Sequence, residues 1–232
     1  GDQLLRELIG AVVVGAAGNV HRHAVGVMEC HDEHISAGLG GRIGAVGAQR
    51  SGLHEVAVAA PLFQFGFKGC GGNPRENLKN QILDEILAEI IAGDASPLYR
   101  RMYDAGIINS TFGSEIMAGR DYMCAIFSGE SREPERVADE IKAEVARMRR
   151  EGVDKKMFEL CRRATYGRYI GMYTRTASVA GLMSAVYFAG MDDMYALLDI
   201  VANATLDQMN ERLQIAFNPE KSALSIVRPL DE

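Results

Sequence analysis

The chain has 232 residues, of which 47% are hydrophobic and 24% are charged, and this balance excludes an intrinsically disordered protein. The formal net charge of −6 argues against a surface that binds nucleic acid. No run of about 18 apolar residues is present, and this argues against a membrane span. The first residues, 1–3, lack the pattern of a signal peptide, and together with four scattered cysteines this predicts a reduced, cytoplasmic protein with buried thiols.

The composition changes sharply near residue 55. All five histidines lie in the first 54 residues, and the first 60 residues contain no Phe, Tyr, Trp or Lys. We therefore predict a Gly/His-rich N-terminal segment of unclear order at 1–54 and a folded α/β domain at 55–232. Any histidine-based site must take its histidines from the first segment. The histidines are His21, His23, His31, His34 and His54.

A cluster in the first segment, "CHDEH", comes close to the inverted zinc-peptidase motif His-x-x-Glu-His. Cys30 stands where the first histidine of that motif is expected, and Glu33-His34 supply the rest. A thiolate is a good zinc ligand, so one alternative is a small metalloenzyme with metal ligands among Cys30, His31 and His34. The glycines that follow and the lack of a third ligand favour a chance cluster.

From residue 55 the elements are clear in chain order. Residues 55–70 predict one buried strand, since they are apolar on both faces for much of their length. Residues 73–93 predict a long helix with Asn73 as its N-cap and Pro74 at its first position. Asp84, Glu85 and Glu89 are expected on the solvated face of this helix. A shorter helix is predicted at 96–106, with Ser96 as cap and Gly106 as stop.

The remaining elements predict the fold class. Two neighbouring strands favour antiparallel pairing, and a run of helices before a last strand places the helices together. We therefore expect a mixed α+β fold, with an antiparallel-rich sheet and helices packed on one face. The strands are predicted at 109–119, 121–131 and 221–229, and the helices or helical turns at 133–152, 154–174, 175–191, 192–204 and 206–218.

Several phrases, in this order, resemble the C-terminal, non-zinc half of the pitrilysin/insulysin-type metallopeptidases, the inverted zincins. The main one is "ASPLYRRMYDAGIINSTFGSE" at 95–115, and the resemblance covers about residues 55–230. It implies one half of a clamshell that shapes the chamber and binds peptide. Zinc and the His-x-x-Glu-His helix are then expected in a homologous partner half. The other phrases are "VAAPLFQFGFKG", "PRENLKNQILDEILAEIIAG" and "NPEKSALSIVRP".

The chain departs from the family at two positions. Many members place an Arg and a Tyr in this half to polarise the scissile carbonyl. Aligned on Gly106, Met102 stands where Arg is expected and Asn109 where Tyr is expected. Arg101 and Tyr103 are out of register, because one position rotates a side chain by about 100° on a helix. That catalytic role is therefore not carried over.

Three functional hypotheses follow. The first is a non-catalytic half of a zinc peptidase, with no catalytic residue and no cofactor of its own, whose peptide contacts include Tyr173, Arg175 and Tyr187. The second is a scaffold or peptide-binding module that kept the fold and lost the peptidase role. The third is the small metalloenzyme built on "CHDEH". The tyrosines offer apolar surface together with a hydroxyl group, which suits a peptide-binding wall.

Overall fold

The computed structural model describes residues 60–119 and 122–229, together with the backbone of residues 52–56. Within these residues the chain forms one five-stranded sheet, with β1 parallel to β5 and all other neighbouring pairs antiparallel. The predicted α+β class is confirmed. The division predicted at residue 55 stays a prediction, because residues 1–51 lie outside this range. The strands, in the spatial order β1-β5-β2-β4-β3, are β1 (Gly52–Val56), β2 (Leu62–Cys70), β3 (Gly113–Ala118), β4 (Tyr122–Glu130) and β5 (Ser222–Pro229).

The single strand predicted at 55–70 is wrong, since this stretch supplies two strands on opposite sides of β5. Val227 of β5 lies opposite His54 of β1 and also opposite Leu62 of β2. β1 runs parallel to β5 and β2 antiparallel to it, so one continuous strand cannot make both pairings. The pairing partner is the last strand of the domain, and nothing in the local pattern indicates it.

The helices agree with the sequence prediction to within a few residues. Asn73 and Ser96 cap the first two helices, accepting backbone hydrogen bonds from Glu76 and Tyr99 at 2.9 and 3.0 Å. Gly106 follows the second helix with a left-handed φ of 68°, which favours glycine. The helices are α1 (Pro74–Ala92), α2 (Pro97–Asp104), α3 (Pro134–Glu151), α4 (Lys155–Tyr173), α5 (Thr176–Phe188), α6 (Ala196–Ala202) and α7 (Leu206–Ala216).

The core lies between the helices and one face of the sheet. Alternate residues of β2 and β4 are buried, as expected for strands that are covered on one side. Phe65, Phe67, Phe127 and Phe217 are fully buried there and contact the apolar side of α1. The opposite face carries small, polar and half-exposed residues, so the expected one-sided packing of helices is confirmed.

Asp84 is not on the solvated face of α1, where the sequence pattern predicted it. Its side chain is 1% exposed and forms a two-pronged ion pair with Arg212 of α7. The distances are 2.9 Å from Nε to Oδ1 and 2.5 Å from Nη2 to Oδ2. Burial raises the pKa of Asp84 to about 6, although Arg212 opposes this shift. The pair joins α1 to α7 inside the core.

Candidate functional site

β3 forms one edge of the sheet, and within the described ranges no strand pairs with its outer side. Gly113, Ser114 and Glu115 are exposed, whereas Ile116 is buried on the helix side. An exposed edge offers unpaired backbone N–H and C=O groups, to which an extended peptide can add as a further strand. β3 is therefore a candidate peptide-binding edge.

A hydrogen-bonded cluster fixes the start of this edge strand. The amide and hydroxyl groups of Thr111 donate to Oδ1 of Asn109 at 2.8 and 2.6 Å. The Thr111 hydroxyl accepts from the backbone of Glu130 at 2.9 Å, and the Asn109 amide group donates to the Glu130 carboxylate at 2.9 Å. These contacts tie the approach to β3 to the end of β4, so the edge is pre-organised for an added strand.

The positions that hold Arg and Tyr in many members of the family have other roles here. Met102 is 1% exposed and belongs to the core, so a guanidinium group at this position would be buried. Asn109 belongs to the cluster that fixes β3. Arg101 lies 3.9 Å from the carboxylate of Glu144, and Tyr103 is exposed on α2. The structure thus supplies a physical reason not to carry the carbonyl-polarising role over.

The three predicted peptide contacts fall in two places. Tyr173 is half-buried, packs on Tyr195 with ring centroids 5.3 Å apart, and donates to the carbonyl of Met194. Arg175 is exposed at the start of α5. Tyr187 lies near the far end of α5, about 18 Å along the helix axis from Arg175. The structure brings Tyr173 and Arg175 together and separates Tyr187 from them; their contact with peptide stays a prediction.

An exposed apolar surface on two consecutive helices was not predicted from the sequence. We call it the α4–α5 face. It comprises Tyr166 and Ile170 of α4, with Met183, Tyr187 and Phe188 of α5, which are between 37% and 76% exposed. One signal in the sequence points to it, since residues 176–191 contain no charged side chain. A solvated surface helix ordinarily carries charges on its outer side.

The weak metal-site alternative at Cys30, His31 and His34 lies outside the described residues. Among the residues that the structure describes, no group of three or more His, Cys, Asp or Glu side chains is placed to hold a metal ion. Zinc therefore has no fitting donor set in this part of the chain, and no reaction step is assigned to these residues. In the same ranges no helix has the length and apolar character needed to cross a membrane.

The prediction of buried thiols holds for Cys161 and is wrong for Cys70. Cys161 is buried, Cys124 is half-buried, and Cys70 is exposed because it ends β2 at the rim of the sheet. Burial raises the pKa of both Cys124 and Cys161 to about 11, which keeps these thiols protonated and unreactive at neutral pH. Cys30 lies outside the described residues.

Comparison with known proteins identifies the domain. Residues 44–165, more than half of the chain, match the family model described as the peptidase M16 inactive domain. An uncharacterized zinc protease of Bacillus subtilis, YmfH, is 23% identical over 179 residues, which cover 75% of this chain and 41% of the relative. The chain thus spans less than half the length of this curated relative.

Solved structures have the same fold. The chain superposes on an M16-like protein from Alicyclobacillus acidocaldarius with a TM-score of 0.73 and 20% identity, covering 77% of this chain and 43% of that one. It superposes on the inactive peptidase domain from Bordetella parapertussis with a TM-score of 0.63 and 15% identity, covering 77% of this chain and 95% of that one. The resemblance to the non-zinc half of pitrilysin-type peptidases is confirmed, and the chain belongs to the family of peptidase M16 inactive domains.

Proposed function

We propose that this domain works as the non-catalytic half of a zinc peptidase, and that hydrolysis needs a zinc-bearing half in the same polypeptide or in a separate subunit. The observation that carries the proposal is the match of residues 44–165 to the inactive-domain family. The Bacillus subtilis zinc protease has more than half of its length outside the matched region, which is room for such a second half. Zinc belongs to that half in this proposal.

The contribution of this domain is to hold the peptide. The pre-organised edge of β3 offers backbone donors and acceptors to an extended substrate, and backbone pairing of this kind tolerates many side chains. Tyr173 and Arg175, which lie together at the junction of α4 and α5, supply the predicted side-chain contacts. The domain then orients the substrate, and the zinc-bearing half cleaves it.

A second candidate function is a scaffold that kept the fold after losing the peptidase role. The burial of Met102 and the structural use of Asn109 favour it, because neither position can polarise a scissile carbonyl. The two candidates differ in one measurable respect. Only the first requires a zinc-bearing partner and peptide hydrolysis by the assembly.

Metal content and partner capture test the first candidate. We expect the purified, chelator-rinsed chain to hold far less than one zinc per chain and to hydrolyse no casein peptide alone. When the affinity-tagged chain is expressed in its own cells, we expect it to retain a protein with a His-x-x-Glu-His motif. The purified pair should hydrolyse fluorescent casein peptides, and a chelator should abolish this activity.

The controls separate the three hypotheses. About one zinc per chain, lost in a His34→Ala variant, would support the small metalloenzyme and overturn our proposal. A captured partner without the His-x-x-Glu-His motif, and no hydrolysis by the pair, would support the scaffold. Mass spectrometry of the metal and of the captured proteins gives both readouts.

Proline substitutions at Ser114 and Glu115 test the peptide-binding edge. Successive backbone N–H groups point to opposite edges of a strand, so one of the two prolines removes an outward donor and the other removes a bond to β4. The variant that loses the outward donor should bind fluorescein-labelled casein peptides about two- to tenfold more weakly, with an unchanged melting temperature. The other variant should melt at a lower temperature.

Fluorescence anisotropy with the purified chain measures the binding, and Ser128→Ala on the neighbouring strand serves as a control. Unchanged peptide affinity in both proline variants would remove β3 from the proposed function. The proposed need for a zinc-bearing half would not depend on that outcome.

A further inference from the structure

Helix α5 lacks the charged outer side of a solvated helix. No charged residue occurs from Thr176 to Met191, and only Leu182 and Val186 of α5 are buried in the domain. A helix that is apolar all round is ordinarily buried on more than one side. The outer side of α5 therefore has the composition of a covered surface.

The exposed side chains of the α4–α5 face add to this surface. Tyr187 and Phe188 are each 76% exposed and contact one another edge-to-face, and Met183 lies one turn before Tyr187. Aromatic side chains offer roughly 150–250 Å² each, so the face presents on the order of several hundred Å² of apolar area. That is large for a monomer and approaches the roughly 800 Å² per partner of a standard interface.

Three glycines on the same two helices have no explanation within the domain. A Cβ at Gly167, Gly171 or Gly181 would meet no atom within 4 Å, and none of the three has a left-handed φ. Glycine destabilises a helix interior relative to alanine, so its presence here is a cost without a benefit to this fold. Close approach of another backbone is a use of glycine that leaves such open space in the separate domain.

We propose that the α4–α5 face is the surface on which the zinc-bearing half docks, an inference that rests on the proposed function. The occupant is argued from length. The chain spans 41% of the Bacillus subtilis relative and 43% of the Alicyclobacillus protein, so in both proteins this domain is joined to a larger remainder. Large apolar interfaces are typical of such permanent partners. Tyr187 then contacts the partner, in place of the peptide contact predicted from the sequence.

The test measures binding of the full chain to the His-x-x-Glu-His protein identified by the capture experiment. Met183→Lys and Phe188→Lys should each weaken this binding at least tenfold in isothermal titration calorimetry, because a lysine charge would be desolvated in the interface. Ile215→Lys is the matched control, since Ile215 of α7 is 51% exposed and lies outside the face. It should bind as the unaltered chain does.

Gly181→Ala provides a variant whose fold is not at risk. It should raise the melting temperature, because alanine favours helix and nothing in the domain lies near the new methyl group. It should also weaken binding to the zinc-bearing half, since the methyl group holds the two surfaces apart. A rise in melting temperature with unchanged binding would count against close approach at this glycine and overturn its part in the interface.

The outcomes separate this inference from the proposed function. If the unaltered chain binds the zinc-bearing half and the lysine variants bind equally well, the docking surface is wrong and the proposed function stands. If no zinc-bearing protein binds the chain, both are wrong. If sedimentation velocity shows a dimer of the chain that the lysine variants dissociate, a second copy covers the face and the inference is overturned.

Discussion

Replacing Asp84 by leucine is expected to destabilise the domain by about 3–5 kcal/mol. The substitution leaves the Arg212 guanidinium group inside the core without its counter-charge, and its other printed contact there, the sulfur of Met123 at 3.4 Å, is a weak acceptor. Denaturant unfolding at pH 7.5 measures the effect. At this pH the Asp84 carboxyl group of the unaltered chain is ionised, because its pKa is about 6.

A double substitution and a surface variant complete this test. Asp84→Leu with Arg212→Met removes both charges and should recover most of the lost free energy of unfolding, because the desolvation cost disappears with them. Glu89→Leu, on the same helix, breaks a more exposed ion pair with Arg168 at 3.5 Å and should cost less than about 1 kcal/mol. Equal costs for Asp84→Leu and Glu89→Leu would contradict the buried pair.

Phe67→Ala is expected to have a similarly large effect, about 3–5 kcal/mol. Phe67 is fully buried, with ring centroids 5.0 Å from Phe65, 6.3 Å from Phe127 and 5.6 Å from Phe217. Alanine removes these aromatic contacts and leaves a cavity between the sheet and the helices, which the rigid surroundings cannot fully close. Thermal and denaturant unfolding followed by circular dichroism provide the measurement.

Phe188→Ala is the matched control for this prediction. The same residue type is 76% exposed on α5, so its loss should change the free energy of unfolding by less than about 0.5 kcal/mol. Binding to the zinc-bearing half should weaken instead. A large stability loss from Phe188→Ala, or a small one from Phe67→Ala, would show that the assignment of inner and outer surfaces is wrong.

The helices were predictable because their signals are local. Asn73 and Ser96 accept hydrogen bonds from backbone groups only three residues further along the chain, so their cap roles are readable from short stretches of sequence. The stop at Gly106 is equally local, because it depends on the left-handed backbone of one residue.

The errors arose where the deciding partner is distant in the sequence. Asp84 is spaced like a solvated residue, and its burial depends on Arg212, 128 residues further along the chain. The split of the stretch 55–70 depends on β5, which pairs with both of its parts. Local pattern carries no information about such partners, so only the family resemblance indicated how the elements assemble.

The candidate site was predictable only in its broad outline. Residue type suggested Tyr173, Arg175 and Tyr187 as peptide contacts, but the helix that carries Arg175 and Tyr187 holds them about 18 Å apart. The edge of β3 and the α4–α5 face depend on what remains uncovered after folding, which residue type does not specify. The uncharged stretch 176–191 was the available signal for the second of these surfaces.

The position of β5 also bears on how the domain is made in the cell. β5 lies between β1 and β2, yet it is synthesised after every other strand and helix of the described fold. At about 5–20 residues per second, translation of the intervening chain takes on the order of ten seconds. Until β5 leaves the ribosome, the inner edges of β1 and β2 have no partner and are open to wrong pairing. The nascent chain is therefore a natural client for chaperones that shield unpaired strands, and a chain truncated before Ser222 would lose the middle of its sheet.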